Sequence, residues 1–225
     1  MSRDFGLFEA MYTSRSLRRF KPDPVPEDVV YQLIDAAIRA PTGHNSQDWR
    51  FVVVTDPDTK RTMQEWSERA WTMAFARYAD PETGQAALDA LPRTQRLSIQ
   101  GVKDLAHTLA DVPLIVVVCG LKGKHSSPGG SHFPAIQNML LAARALGLGG
   151  SIFNLATAGD VHELLGIPEN NEVYACVPIG YPTDKQGPLS RKPVKKVAYL
   201  ERFGEPWPFA VEQPDEGWGG KWIDG

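Results

Sequence analysis

The sequence predicts a single α/β domain, and three observations carry that expectation. Apolar residues make up 42% and charged residues 23% of the 225 positions, enough for one unit with a sizeable core. Three apolar runs, residues 50–55, 114–119 and 172–179, have the length and β-branched content of strands. Between them lie stretches in which apolar residues recur at helical spacing, separated by Pro, Gly, Asn and Ser.

Residues 26–40 read as a helix because Val30, Ile34 and Ile38 recur at i, i+4 with Leu33 and Ala37 beside them. Pro26, Glu27 and Asp28 suit its first turn, and Pro41 ends it. Residues 50–55 then form a buried strand. Asp56 and Pro57 follow as the cap and first turn of a helix that carries Met63 and Trp66 and extends toward Tyr78. Residues 81–109 are polar with scattered Leu and Ile, and read as a loop plus a weakly determined helix.

Residues 114–119 are continuously apolar, as in a central strand covered on both faces. The segment GLKGKHSSPGGSHF is a Gly/Ser-rich loop, after which Pro134 opens a helix. That helix should be nearly fully buried, since Arg144 is its one strongly charged residue, and Gly147 suits a left-handed C-terminal position. A short helix over 161–165 and a strand over 172–179 complete the regular elements. Beyond Leu200 the chain carries Trp207, Phe209, Trp218 and Trp222 without periodicity, so residues 201–225 are expected to wrap a surface, that of a second subunit in particular.

Composition excludes several function classes. A formal net charge of −3 argues against a nucleic-acid partner. No apolar run reaches the roughly 20 residues that span a bilayer, and the charged N-terminus lacks the apolar core of a signal peptide. The two cysteines, Cys119 and Cys176, sit apart in apolar runs and match neither a disulfide framework nor a CxxC site, which points to a reducing, cytoplasmic setting. His107, His125, His132 and His162 are too scattered for a metal site. The Gly147–Ser151 stretch follows a helix rather than a strand, so it is not a dinucleotide-binding turn, and no GxxxxGK[ST], HExxH or GxSxG motif occurs.

Three polar clusters flank the core elements. The first, Ser14 to Phe20, concentrates guanidinium and hydroxyl groups. It reads either as a solvated basic arm or as a site for a phosphate monoester and a polar heterocycle edge. The second, APTGHNSQDWR, is a turn built from Pro, Gly and Asn that joins the first helix to the first strand. The third, Ser190-Arg191-Lys192-Pro193, is by itself a cationic loop.

Taken in order, RSLRRF, APTGHNSQDWRFVVV, AIQNMLLAARALGLGG, LGIPENNEVYACVPIGYP and SRKPVKKVAY make the chain resemble the nitroreductase superfamily over residues 11–207. The resemblance implies an α+β sandwich, a mixed, mainly antiparallel sheet flanked by helices, in one domain that forms an intertwined homodimer with FMN at the interface. It implies that Arg15, Ser16 and Arg18 contact the flavin phosphate and pyrimidine edge, and that Thr42, Asn45 and Gln47 surround the ring and ribityl chain. It implies further that Ile152, Phe153 and Asn154 pass the reactive N5 edge from the partner subunit, and that Arg191 adds a second cation to the phosphate. Many members carry a further arginine where this chain has Ser14, and the common Gln-Pro-Trp triplet is here Gln47-Asp48-Trp49.

The activity implied is transfer of electrons from NAD(P)H through FMN to a small nitroaromatic, quinone or enone-like acceptor, with ping-pong kinetics. The cofactor carries the chemistry and the protein supplies binding and electrostatics. No protein acid or base is required by the pattern; His44, beside the flavin turn, is the candidate proton donor against a structural or solvent-facing role. The alternatives are a specialised flavin enzyme of the same fold (a reductive dehalogenase, a flavin-cleaving enzyme or a biosynthetic dehydrogenase) and a flavin-binding protein without turnover.

Overall fold

A computed structural model of the protein describes residues 6–123, 129–186, 189 and 191–208. The first helix, α1 (Leu7–Thr13), precedes an extended segment that leads to α2 (Glu27–Ala37). Pro26 occupies the N-cap of α2, and the helix buries Leu33 and Ala37, as its i, i+4 pattern requires. A short 3-10 turn over Gly43–Asn45 opens into β1 (Trp49–Val54).

Asp56 caps α3 (Pro57–Ala74): its carboxylate accepts the Thr59 N–H at 2.8 Å. The buried face of α3 is Lys60, Met63, Ser67 and Trp71, spaced three and four apart. Lys60 snorkels inward and donates Nζ to the Val112 carbonyl at 2.8 Å, while burial lowers its pKa.

The polar stretch 81–109 is more regular than its composition suggests. After α4 (Ala76–Ala79) it forms α5 (Gly84–Asp89) and the fifteen-residue α6 (Arg93–His107). The buried residues of α6 are Gly101, Leu105 and Ala106.

β2 (Leu114–Leu121) is the central strand, followed by α7 (His132–Ala145), β3 (Gly149–Gly150), α8 (Val161–Leu165) and β4 (Asn171–Gly180). The strand order is β1-β2-β4-β3, every pair antiparallel, with a register shift opposite Val118 and Cys119 that leaves Tyr174 of β4 unpaired. Alternation along β2 and β4 divides the core. Leu114, Val116, Val118, Ala175, Val177 and Ile179 pack with α2 and α7 on one face. Ile115, Val117, Cys119 and Cys176 pack with α3 and α6 on the other. The result is the α+β sandwich, and among the described residues its parallel pairing is one isolated bridge, Ser16 to Gly150.

Two expectations need correction. β1 is an edge strand, not a buried one: Arg50 and Val53 are exposed while Trp49 and Val54 are buried. A run of apolar β-branched residues has the same composition whether one face or both are covered. α7 starts at His132, two residues before Pro134, and is not nearly fully buried, because Phe133 and Gln137 are exposed and Leu140, Leu141 and Arg144 are half-buried. Gly147 does take the left-handed conformation, φ 81°, and Leu148 N–H closes on Ala143 O at 2.8 Å.

Residues 201–208 lie exposed, Trp207 at 48%. Phe209, Trp218 and Trp222 lie outside the described residues, as do His125 and Ser190. Among the described residues no helix is long and apolar enough to cross a membrane.

Candidate functional site

The segment leaving α1 is fixed by the sheet edge. Leu17 N–H donates to Gly150 O at 3.1 Å, and the Leu17 side chain is buried where a Cβ on Gly149 would meet its Cδ1 at 2.3 Å. Gly149 therefore lets the N-terminal segment lie flat on β3. The chain returns to the same place after β4: Leu189 N–H donates to Tyr12 O at 3.2 Å, and Gln186 Nε2 donates to Leu148 O at 2.9 Å.

These two segments enclose a cavity of about 480 Å³. Arg15, Ser14 and Ser16 line one side, Arg191 and Lys192 the other, and Gln137 of α7 forms part of the wall. Among the described residues no carboxylate lines it. Three cationic side chains and two hydroxyls facing one cavity suit a phosphate monoester, because guanidinium forks make paired, charge-assisted hydrogen bonds to its oxygens. Sequence reasoning named Arg15, Ser16 and Arg191 but missed Lys192, which sits next to Arg191 in SRKP and supplies the third cation that Ser14 does not.

The other arginines of RSLRRF diverge. Arg18 lies beside α6, its Cδ 3.5 Å from where a Cβ on Gly101 would stand. Its Nε is buried with no hydrogen-bond partner among the described residues, and burial lowers its pKa. Arg19 is structural: it pairs with Asp104 and, at 3.5 Å, with Asp184, and the Asp104 hydrogen bond is the main cause raising its pKa.

Thr42, Asn45 and Gln47 lie on the turn before β1 and do not line this cavity. The turn is strained: His44, Asn45 and Gln47 have φ of 53°, 54° and 49°. Non-glycine residues in that region cost on the order of 1 kcal/mol each and persist where the surroundings hold them, as at ligand contacts. Gln47 N–H donates to Thr42 Oγ1 at 3.3 Å, and His44, Asn45 and Gln47 are exposed.

Ile152, Phe153 and Asn154 follow β3. Phe153 is buried and its N–H donates to Cys176 O at 2.8 Å, while Asn154 Oδ1 accepts the Cys176 N–H at 3.2 Å. Of this segment Ile152 presents an open apolar side chain, 42% exposed. Within one chain, then, the phosphate-type residues come together, whereas the 42–47 turn and the 152–154 segment stand apart from them. No group of three or more His, Cys, Asp or Glu among the described residues is arranged to hold a metal.

Comparison with known proteins agrees with this architecture. A model described as the nitroreductase family matches residues 12–181. A Thermus thermophilus protein named NADH dehydrogenase is 32% identical over 189 residues, 81% of this chain and 90% of that protein. A 5,6-dimethylbenzimidazole synthase from Rhodospirillum rubrum is 30% identical over 210 residues, 88% of each. Among solved structures, a nitroreductase with bound FMN from Desulfitobacterium hafniense superposes with a TM-score of 0.64 at 21% identity, covering 87% of this chain and 98% of that one. Arg191 and Lys192 fall beyond the family match, so the cavity's second wall is known from the structure of this chain. The chain belongs to the nitroreductase family.

Proposed function

We propose that this protein is an FMN-dependent oxidoreductase that takes electrons from NAD(P)H and passes them to a small acceptor, working as a cytoplasmic homodimer. The observation that carries the reading is the cavity lined by Arg15, Arg191 and Lys192 together with Ser14 and Ser16. A terminal phosphate monoester fits this donor set better than a bridged diphosphate, since its three oxygens can take several charge-assisted bonds at once.

Bound FMN supplies the hydride and electron-transfer chemistry. This chain's own residues bind and orient it. Arg15 and Arg191 hold the phosphate, remote from the reacting ring. Arg18, a half-buried cation beside α6, would supply positive charge toward the pyrimidine side of the flavin, where it would favour the reduced form. Thr42, Asn45 and Gln47 supply polar contacts, and Ile152 covers the ring edge. Completing the enclosure takes a second subunit, because one chain does not bring these groups together. Exposed Leu7, Phe8 and Met11 on α1 and Val197, Leu200 and Trp207 near the C-terminus supply apolar surface for that association.

The experiment is anaerobic titration of the FMN-loaded protein with NADH and with NADPH, followed by a nitroaromatic or quinone. Bleaching of the flavin absorbance and its recovery on adding acceptor are expected, from a species that sediments as a dimer at micromolar concentration. Flavin that no nicotinamide reduces contradicts the reading, and a flavin-loaded monomer contradicts the shared site. The likeness to a biosynthetic synthase favours one second reading, a specialised reaction of the same fold. Reduction without recovery by any general acceptor is its signature.

Arg18→Met separates the role of this arginine from packing. Methionine keeps the aliphatic stem and removes a buried donor that has no partner among the described residues. The flavin-free protein is expected to gain up to about 1 kcal/mol in stability, while flavin binding or reduction falls roughly tenfold or more. Urea unfolding and rapid-mixing reduction check the two halves, and a variant with wild-type affinity and reduction rate would remove Arg18 from the site.

A further inference from the structure

The 42–47 turn is strained, and the restraints on it come from Thr42 and from three alternate residues at its exit, Ser46, Asp48 and Arg50. Ser46 Oγ donates to Asp48 Oδ1 at 3.1 Å, and Asp48 is buried. Arg50 Nη1 donates to Gln47 O at 3.3 Å and to Trp49 O at 2.7 Å. Gln47 is thus gripped on both sides of its left-handed backbone, through its N–H by Thr42 and through its carbonyl by Arg50.

The grip is rooted in the sheet. Asp48 O lies 2.9 Å from where a Cβ on Gly120 would stand, Trp49 pairs with Gly120 in the β1–β2 ladder, and Trp49 is buried. The turn is therefore anchored at its exit to the central strand, while its exposed residues are held in a conformation they would not adopt alone.

We infer that Ser46, Asp48 and Arg50 are positioning residues: they hold Gln47 in left-handed geometry, and so set the affinity for flavin. This rests on the reading that the turn contacts FMN. It implies a sign that an ordinary structural role does not. Releasing the grip removes a hydrogen bond from the flavin-free protein but also lets the turn relax, so the two effects offset in stability, whereas flavin binding must then restore the strained turn.

The test compares Ser46→Ala, Arg50→Ala and Arg50→Lys with the unaltered full chain. Dissociation constants for FMN come from quenching of flavin fluorescence, and melting temperatures are taken without flavin. Ser46→Ala and Arg50→Ala are expected to weaken FMN binding about tenfold with unchanged melting of the flavin-free protein. Arg50→Lys, which keeps one donor on a similar stem, should fall between Arg50→Ala and the unaltered protein. If the unaltered chain binds no FMN, the functional reading fails and takes this inference with it. If it binds FMN and the variants bind equally well, the inference alone is overturned. The same holds if affinity and melting temperature fall together, or if Arg50→Lys binds as weakly as Arg50→Ala.

Discussion

Replacing both Arg15 and Arg191 by alanine is expected to abolish FMN binding at micromolar flavin, and each single replacement to weaken it by roughly tenfold to hundredfold. Each guanidinium faces the same cavity from a different segment, one from the N-terminal strand-like stretch and one from the return after β4. Hydrogen bonds to a charged group contribute on the order of 1.5–3 kcal/mol, which sets the single effects. Lys192 remains on the cavity wall in either single variant and keeps part of the positive field, so the singles stay measurable. Two groups acting on one phosphate are close enough to couple, and the double loss need not equal the product of the singles. Equilibrium binding by flavin fluorescence measures all three variants. A double variant with wild-type affinity would mean that the cavity is not the phosphate site.

The largest stability effect is expected at Gly120. A methyl group there would meet His132 Nε2 at 2.1 Å and Asp48 O at 2.9 Å. Neither neighbour has room to give. Asp48 O is backbone leading into β1, and His132 is fully buried and stacked on Tyr174 with ring centroids 4.0 Å apart. Overpacking of this kind costs about 1–3 kcal/mol and more where backbone must shift, so Gly120→Ala should lose at least 2 kcal/mol, roughly. Gly149→Ala is the control: its nearest neighbour is Leu17 Cδ1, the far end of a flexible side chain, and a smaller loss is expected. Urea unfolding midpoints rank the two. A Gly120→Ala protein no less stable than Gly149→Ala would contradict the packing described around His132.

Much of the fold was legible because burial leaves a compositional trace where it uses large side chains. β2 reads directly as a strand, α2 from its i, i+4 spacing, and α3 from the Asp56-Pro57 start. α6 falls within the stretch read as a loop plus a weakly determined helix; its bounds were not legible because Gly101 and Ala106 share its buried face with Leu105, while Leu97 is 47% exposed. β1 carries Phe51-Val52-Val53-Val54, a run that does not encode whether both faces are covered; only the strand order puts it at the edge.

The candidate site was legible as motifs but not as directions. RSLRRF places three arginines within five residues, and only the packing of Leu17 and α6 sends Arg15 to the cavity, Arg18 toward Gly101 and Arg19 to its two aspartates. Gln137 was hidden in a helix whose apolar residues drew attention to the core, although it lines the cavity. Asn154 has its Oδ1 engaged by the β4 backbone, a use of a polar side chain that no motif announces.

The central claim, that the cavity of Arg15, Arg191 and Lys192 holds the phosphate of a flavin mononucleotide, is tested most directly by comparing FMN with riboflavin on the same protein. The two ligands share the ring and the ribityl chain and differ by the phosphate alone. Binding of FMN at least a hundredfold tighter than riboflavin is the expected result, since several charge-assisted hydrogen bonds are lost together. Equal affinity for the two would contradict the assignment of this cavity, whatever activity the protein then proved to have.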